Sequence, residues 1–272
     1  MHLGHKNHGY SYYMDTKQLD TVEKEKDLGI VITKDLKVSQ QCKQAYAKAS
    51  RMLGVINRSI KSKDRDILLS LYKSLVRPHL EYCIPAWSPH YLKDKELIER
   101  IQHRFTRMFP ELRKLPYLRR LEYLKLWTLE ERRARADLIE VYKIIHGISP
   151  VSFDTFFEFN SYGTTRGHSL KLMKKRASTN LRHHFFSERV INNWNNPDNK
   201  TVTSGSINIF KGNLERLRQS KGDRSVCWQL MLLDLLRLSR AVGEASSGKL
   251  SGKQINYDMI NLVTICSIFL KL

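Results

Sequence analysis

The spacing of apolar positions changes near residue 38. Before it the chain reads as short strands and turns. Tyr10, Tyr12 and Tyr13 are strand formers, and Asp15, Thr16 and Lys17 read as a turn. Leu28, Gly29, Ile30, Val31 and Ile32 form a second β-rich run between charged stretches at residues 23–27 and 34–35. From Ser39 the recurrence is helical. Ala45, Ala49, Met52 and Ile56 share one face. Asp64 is a suitable cap for a second helix with apolar positions Ile67, Leu68, Leu71, Tyr72 and Leu75. Pro78 and Pro85 are expected to interrupt the chain beyond it, leaving residues 85–89 as a loop centred on Trp87. In the next helix Ile98, Ile101, Phe105 and Met108 make an apolar stripe. Arg100, Arg104 and Arg107 make a separate basic one, and Pro110 closes the helix.

A helical segment over residues 117–125 precedes a longer helix. Thr128 and Glu131 have capping-box spacing, and Leu138, Val141, Tyr142 and Ile145 carry the apolar face to a stop at Gly147. Residues 149–165 are aromatic and turn-rich. Phe185, Phe186, Val190, Ile191 and Trp194 recur at helix-like spacing, and Phe210, Leu214 and Leu217 suggest one more helix. Beyond about residue 221 the composition shifts: leucine-rich at 228–238, small and polar at 245–253, apolar at 259–270. The last run is shorter than the roughly 20 residues that span a bilayer, and the N-terminus has no apolar core of signal-peptide length.

Charge changes this picture most. Lys and Arg number 47 against 27 Asp and Glu, a formal net charge of +20. Such a field favours a polyanionic partner over a small neutral substrate, because each phosphate contact releases counterions. Cys42, Cys83, Cys227 and Cys266 are too scattered for a zinc ribbon, a CxxC redox motif or a disulfide framework, so reduced thiols in an intracellular compartment are expected.

Several segments resemble the C-terminal part of reverse transcriptases from Jockey/CR1-like non-LTR retrotransposons. They are DLGIVI at residues 27–32, LYKSLVRPHLEYCIPAWSP at 71–89, ELIERIQHRFTRMFP at 96–110 and LEERRARADLIEVYKIIHG at 129–147. TRGHS at 165–169 and FFSERVINNW at 185–194 come after them in the same order, so the resemblance covers roughly residues 1–217. It implies a mainly α fold: a small N-terminal β-rich palm remnant (1–37), a helical thumb-like domain (38–148), a basic, aromatic segment (149–220) and a divergent, poorly defined tail (221–272). Polymerases of this family hold two Mg²⁺ ions on palm carboxylates. No YADD- or FADD-like sequence occurs here, as expected of a truncated copy, so no catalytic residue and no cofactor is assigned to this chain. The adjacent pair Glu130 and Glu131 falls in a helix N-terminal turn, where interaction with the macrodipole accounts for it. The unpaired edges of a small palm remnant are expected to invite pairing with other chains.

The expected partners are RNA, DNA or an RNA–DNA hybrid, with neither a membrane nor a small-molecule substrate. Candidate contacts are Arg100, Arg104 and Arg107, for which the competing reading is a solvated face paired with Glu96, Glu99 and Glu111. Arg132 and Arg133 are candidates too, with local ion pairs to Glu130, Glu131 and Asp137 as the alternative. The run Arg166, Lys171, Lys174, Lys175, Arg176 and Arg182 is the stronger electrostatic site, since Glu188 is its single acid; its alternative is a solvated loop. His168, His183 and His184 would add charge only at mildly acid pH. Trp87 is a candidate for stacking on a base, against the commoner role of covering a core edge. His5 and His8, or His183 and His184, lack the further ligands of a metal site, and Ser187 and the cysteines lack a His/Asp partnership for nucleophilic catalysis. Two other readings stand beside a binding module: a non-functional product of a decayed element, and a host-adopted protein-interaction module using the leucine-rich tail. A nuclear location would suit the parent element's life cycle, although no clean localisation signal is present.

Overall fold

The computed structural model describes residues 1–3, 7–160 and 167–222. The described chain is mainly helical, with two small antiparallel strand pairs at its N-terminus. β1 (Tyr13–Met14) and β2 (Lys17–Gln18) form a small exposed hairpin. β3 (Lys24–Asp27) and β4 (Ile30–Thr33) pair in the register Lys24 to Thr33 and Asp27 to Ile30. Their two-residue turn, Leu28-Gly29, has φ of 45° and 92°, the twist that a tight hairpin needs. The Tyr82 hydroxyl donates to the Leu28 carbonyl and holds this turn against the helices. Ile30 and Ile32 are buried on the helical core. The expectation of inviting edges is modified at both sides of this hairpin. Val31 N–H on β4 donates to Gln41 Oε1 at 2.9 Å, and the outer strand is the charged sequence KEKD. Lysines on an edge strand disfavour further pairing.

α1 (Ser39–Ser59) buries Cys42, Ala45, Ala49, Leu53 and Ile56. α2 (Arg65–Leu71) is capped as expected: Asp64 Oδ1 accepts from the N–H groups of Asp66 and Ile67, both at 3.0 Å. Pro78 does not break the helical path beyond α2. A π-helical turn, Tyr72–Val76, carries the chain into α3 (Arg77–Glu81), with Pro78 in its first turn. There a proline's missing N–H costs little, and the wider turn removes its clash with the preceding one. The buried positions of this stretch are Leu68, Leu69, Tyr72 and Val76, while Ile67 and Leu75 face out.

α4 (Leu92–Thr106) buries its apolar stripe against α1. Pro110 lies in a 3₁₀ turn, Pro110–Leu112, beyond the helix end. α5 (Tyr117–Leu124) ends at Lys125 in the left-handed conformation, φ 51°. α6 (Leu129–Ile145) carries the expected capping box: Thr128 N–H donates to Glu131 Oε2 at 2.9 Å, and Glu131 N–H to Thr128 Oγ1 at 3.2 Å. Thr128→Ala is expected to cost about 1 kcal/mol in a denaturant titration, because it leaves an N-terminal amide without its acceptor. Gly147, at φ 64°, lies just past the helix end.

The C-terminal helices are short, except the last: α7 (Asn180–His183), α8 (Phe186–Arg189), α9 (Ile191–Asn195), α10 (Asn199–Val202) and α11 (Ile207–Gly222). The spacing that predicts one helix at 185–194 belongs to two short ones meeting at Val190.

Two apolar clusters hold the described residues together. One runs from Ile30 to Leu129 and the other from Val141 to Leu214. α6 contributes Leu129 to the first and Val141, Tyr142 and Ile144 to the second, and Ala86 packs against both. Among the described residues no helix is long and apolar enough to cross a membrane.

Candidate nucleic-acid interface

Burying the apolar stripe of α4 puts Arg100, Arg104 and Arg107 on its outer face, all three exposed. Arg104 Nη1 donates to Ser50 Oγ at 2.7 Å, so the basic face abuts α1. α1 contains no Asp or Glu, and its Lys43, Arg51 and Arg58 are exposed. Beyond the end of α4, Arg113 Nε donates to the Arg107 carbonyl at 3.2 Å. The result is a basic ridge across two helices. Spacing picked out the α4 residues; the acid-free composition of α1 was the unread signal for Arg51 and Arg58. Arg113 carried no signal, because only the turn after α4 brings it back.

The acids expected as competitors do not neutralise this ridge. Among the described residues Glu96, Glu99 and Glu111 make no ion pair with it. Glu99 turns inward. It accepts from Tyr117 Oη, from Gln102 Nε2 at 3.3 Å and from Leu129 N–H at 2.9 Å. Burial pushes its carboxyl up to about 7, against the opposing effect of the Tyr117 and Leu129 hydrogen bonds. A raised carboxyl pKa stabilises the fold fully below the unfolded value, and this contribution is lost as pH rises toward about 7. Glu99→Gln removes the titration. The variant is therefore expected to gain up to about 3 kcal/mol on wild type between pH 5 and pH 8, read by urea denaturation. A pH-independent difference would contradict a buried, titrating Glu99.

Three candidates take structural roles instead. Trp87 is 1% exposed, and its Nε1 donates to the Tyr82 carbonyl at 2.7 Å, so no ring face is free for a base. Arg133 is buried with its guanidinium 4.6 Å from the Trp87 ring centroid, and its Nη2 donates to the Leu80 carbonyl at 2.7 Å. Arg132 is half-buried and grips Glu81 with two N–H groups, not the acids of its own helix. Asp137 is bound bidentately by Arg189, which also donates to the carbonyls of Ile84 and Pro85. The Trp87 loop is thus clamped from α6 and α8.

The basic run after residue 166 is less free than its composition suggests. Arg166 lies outside the described residues. Lys175 pairs with Glu158, Arg182 Nη2 lies 3.4 Å from the buried Glu188, and Lys174 Nζ donates to Asn192 at 3.0 Å. Lys171 is half-buried, and Arg176 is exposed. Two of the three histidines are shifted below the usual imidazole range. His168 is buried against Trp194 and shifted down by burial. His184 stacks on His90 at 4.3 Å and is pushed down to about 4, first by burial and then by His90.

The adjacent carboxylates do not fit a two-metal polymerase centre. Glu130 pairs with Lys95 at 2.6 Å, and Glu131 is committed to the capping box. Among the described residues no group of three or more His, Cys, Asp or Glu is arranged to hold a metal ion; His5 lies outside them. Burial pushes the Cys42 thiol up to about 12 and Cys83 to about 11, which leaves both weak nucleophiles at neutral pH. Cys227 and Cys266 are outside the described residues, as are the leucine-rich and apolar stretches of the tail.

No protein-family model, curated protein or solved structure matches the chain.

Proposed function

We propose that the chain is a non-catalytic nucleic-acid-binding module that grips a phosphodiester backbone through α4 and the adjoining face of α1. The observation that carries this reading is the uncompensated arginine stripe Arg100, Arg104 and Arg107 beside a helix without acids. One-turn spacing sets three guanidiniums along roughly 10 Å of helix, each able to give two N–H groups to a phosphate. Such contacts position a duplex without reading bases. The net charge of +20 supplies long-range attraction of the same sign.

The resemblance of residues 1–217 to the end of the palm, thumb and downstream part of a Jockey/CR1-like reverse transcriptase agrees with this assignment. In that setting the strand pairs correspond to a palm edge, the helices through α6 to a thumb-like bundle, and the ligand to template–primer.

Binding of the full chain to an RNA–DNA hybrid, duplex DNA and single strands across a salt titration tests the reading. A steep salt slope with preference for the hybrid supports it. Weak, equal binding to every polyanion would make the charge a remnant of descent and favour the decayed-element reading.

A further inference from the structure

Residues 174–178 form an exposed basic segment among the described residues of the C-terminal half. Lys174, Lys175, Arg176 and Ser178 are exposed, and the segment belongs to no helix or strand. Among the described residues its backbone enters no backbone hydrogen bond; the strand-like pairing ends at Met173, whose N–H donates to the Glu158 carbonyl at 2.8 Å. A segment of this kind can be drawn out as an extended peptide without breaking secondary structure. Ser178 has no hydrogen bond among the described residues. The neighbouring Thr179 is half-buried, and its Oγ1 accepts from Arg182 N–H at 3.2 Å.

The residues two, three and four positions before Ser178 are Arg176, Lys175 and Lys174. An extended chain presents such cations to a carboxylate-lined groove while the hydroxyl reaches the reaction centre. Lys175 keeps 56% of its side chain exposed beside its pair with Glu158, a surface pair that a carboxylate-lined groove can displace. The other described serine two residues after an arginine on a basic stretch, Ser220, lies within α11 and donates to the Leu217 carbonyl at 3.0 Å. Its backbone is not free to extend.

We infer that Ser178 is a phosphoacceptor for a cation-selecting serine/threonine protein kinase, and that its phosphate weakens the smaller part of the polyanion grip that Lys174, Lys175 and Arg176 supply. The second half of this inference rests on the proposed function. In the transfer, Ser178 Oγ attacks the γ-phosphorus of a nucleoside triphosphate. The Oγ–P bond forms, the bond from that phosphorus to the β,γ-bridging oxygen breaks, and the nucleoside diphosphate leaves. The serine proton passes to a kinase carboxylate and then to water. The product places a charge of about −2 immediately after the basic run Lys174, Lys175 and Arg176. That charge draws these cations inward and repels an approaching phosphodiester.

The test incubates the full chain with Mg²⁺, ATP and the catalytic subunit of a cyclic-AMP-dependent protein kinase, with the modified site then mapped by mass spectrometry. Phosphate is expected on Ser178, absent from Ser178→Ala, and strongly reduced at Ser178 when Lys174, Lys175 and Arg176 are all alanine. Affinity of the phosphorylated chain for an RNA–DNA hybrid should fall about three- to tenfold near 0.1 M salt, with Ser178→Ala unaffected by the treatment. Phosphate found only on other serines overturns the acceptor assignment. Phosphate on Ser178 with unchanged affinity overturns its effect on binding. A chain that binds no polyanion before treatment overturns the proposed function instead, and the mapped phosphate still decides whether Ser178 is the acceptor.

Discussion

Replacing Arg100, Arg104 and Arg107 together by alanine is expected to lower affinity for a nucleic-acid duplex by about 100-fold near 0.1 M salt. The plot of log affinity against log salt should flatten by about 2 to 3 units, near 0.9 for each phosphate no longer neutralised. The fold should survive, since all three side chains are exposed and only Arg104 makes a described side-chain hydrogen bond, to Ser50. Circular dichroism and a denaturation curve on the same sample establish that survival. The comparison variant, Lys174, Lys175 and Arg176 to alanine, is expected to flatten the slope by only about 1 unit, because Glu158 and Asn192 already occupy two of those cations. An unchanged slope in the α4 variant would remove the ridge from the interface. A larger effect in the comparison variant would move the interface to the C-terminal half.

Trp87→Ala is expected to destabilise the protein by about 3 to 5 kcal/mol, a large part of the 5 to 15 kcal/mol typical of a folded domain. Two losses combine. The cavity left by a fully buried indole is one. The other is the buried Arg133 guanidinium, which would lose the aromatic face it lies against. Trp87→Phe restores a ring without the Nε1 donor to the Tyr82 carbonyl, and should cost clearly less. Because Ala86 packs against both apolar clusters, the alanine variant is also expected to loosen the C-terminal helices early, read as faster amide exchange in α8 and α9 than in α1. Under conditions where Trp87→Phe is folded, its affinity for nucleic acid should equal wild type. A selective loss of binding with intact stability would return Trp87 to the interface.

Apart from α3, which runs through the Pro78 expected to interrupt the chain, the helices through α6 were legible because their signals are local. The Asp64 cap, the Thr128 and Glu131 capping box and the apolar stripe of α4 each depend on residues within one or two turns. The site was only half legible. Arg100, Arg104 and Arg107 share a face by helix geometry alone, but their freedom depends on where Glu99 points. That was settled by Tyr117 and Leu129, 18 and 30 residues away. The run at 171–182 misled in the opposite direction. It is poor in acids along the chain, yet Glu158 arrives from across the Phe159 and Leu172 bridge.

What the sequence determined by itself is the class of the fold, the outer face of α4 and the sign of the field, since periodicity, caps and charge count are properties of neighbouring residues. The tertiary structure alone decided which charges remain free. It sent Arg133 under the Trp87 loop, tied Arg132 to Glu81 and left the α4 stripe open. A charged group's role depends on the desolvation and the partner it meets after packing, and long-range contacts set both.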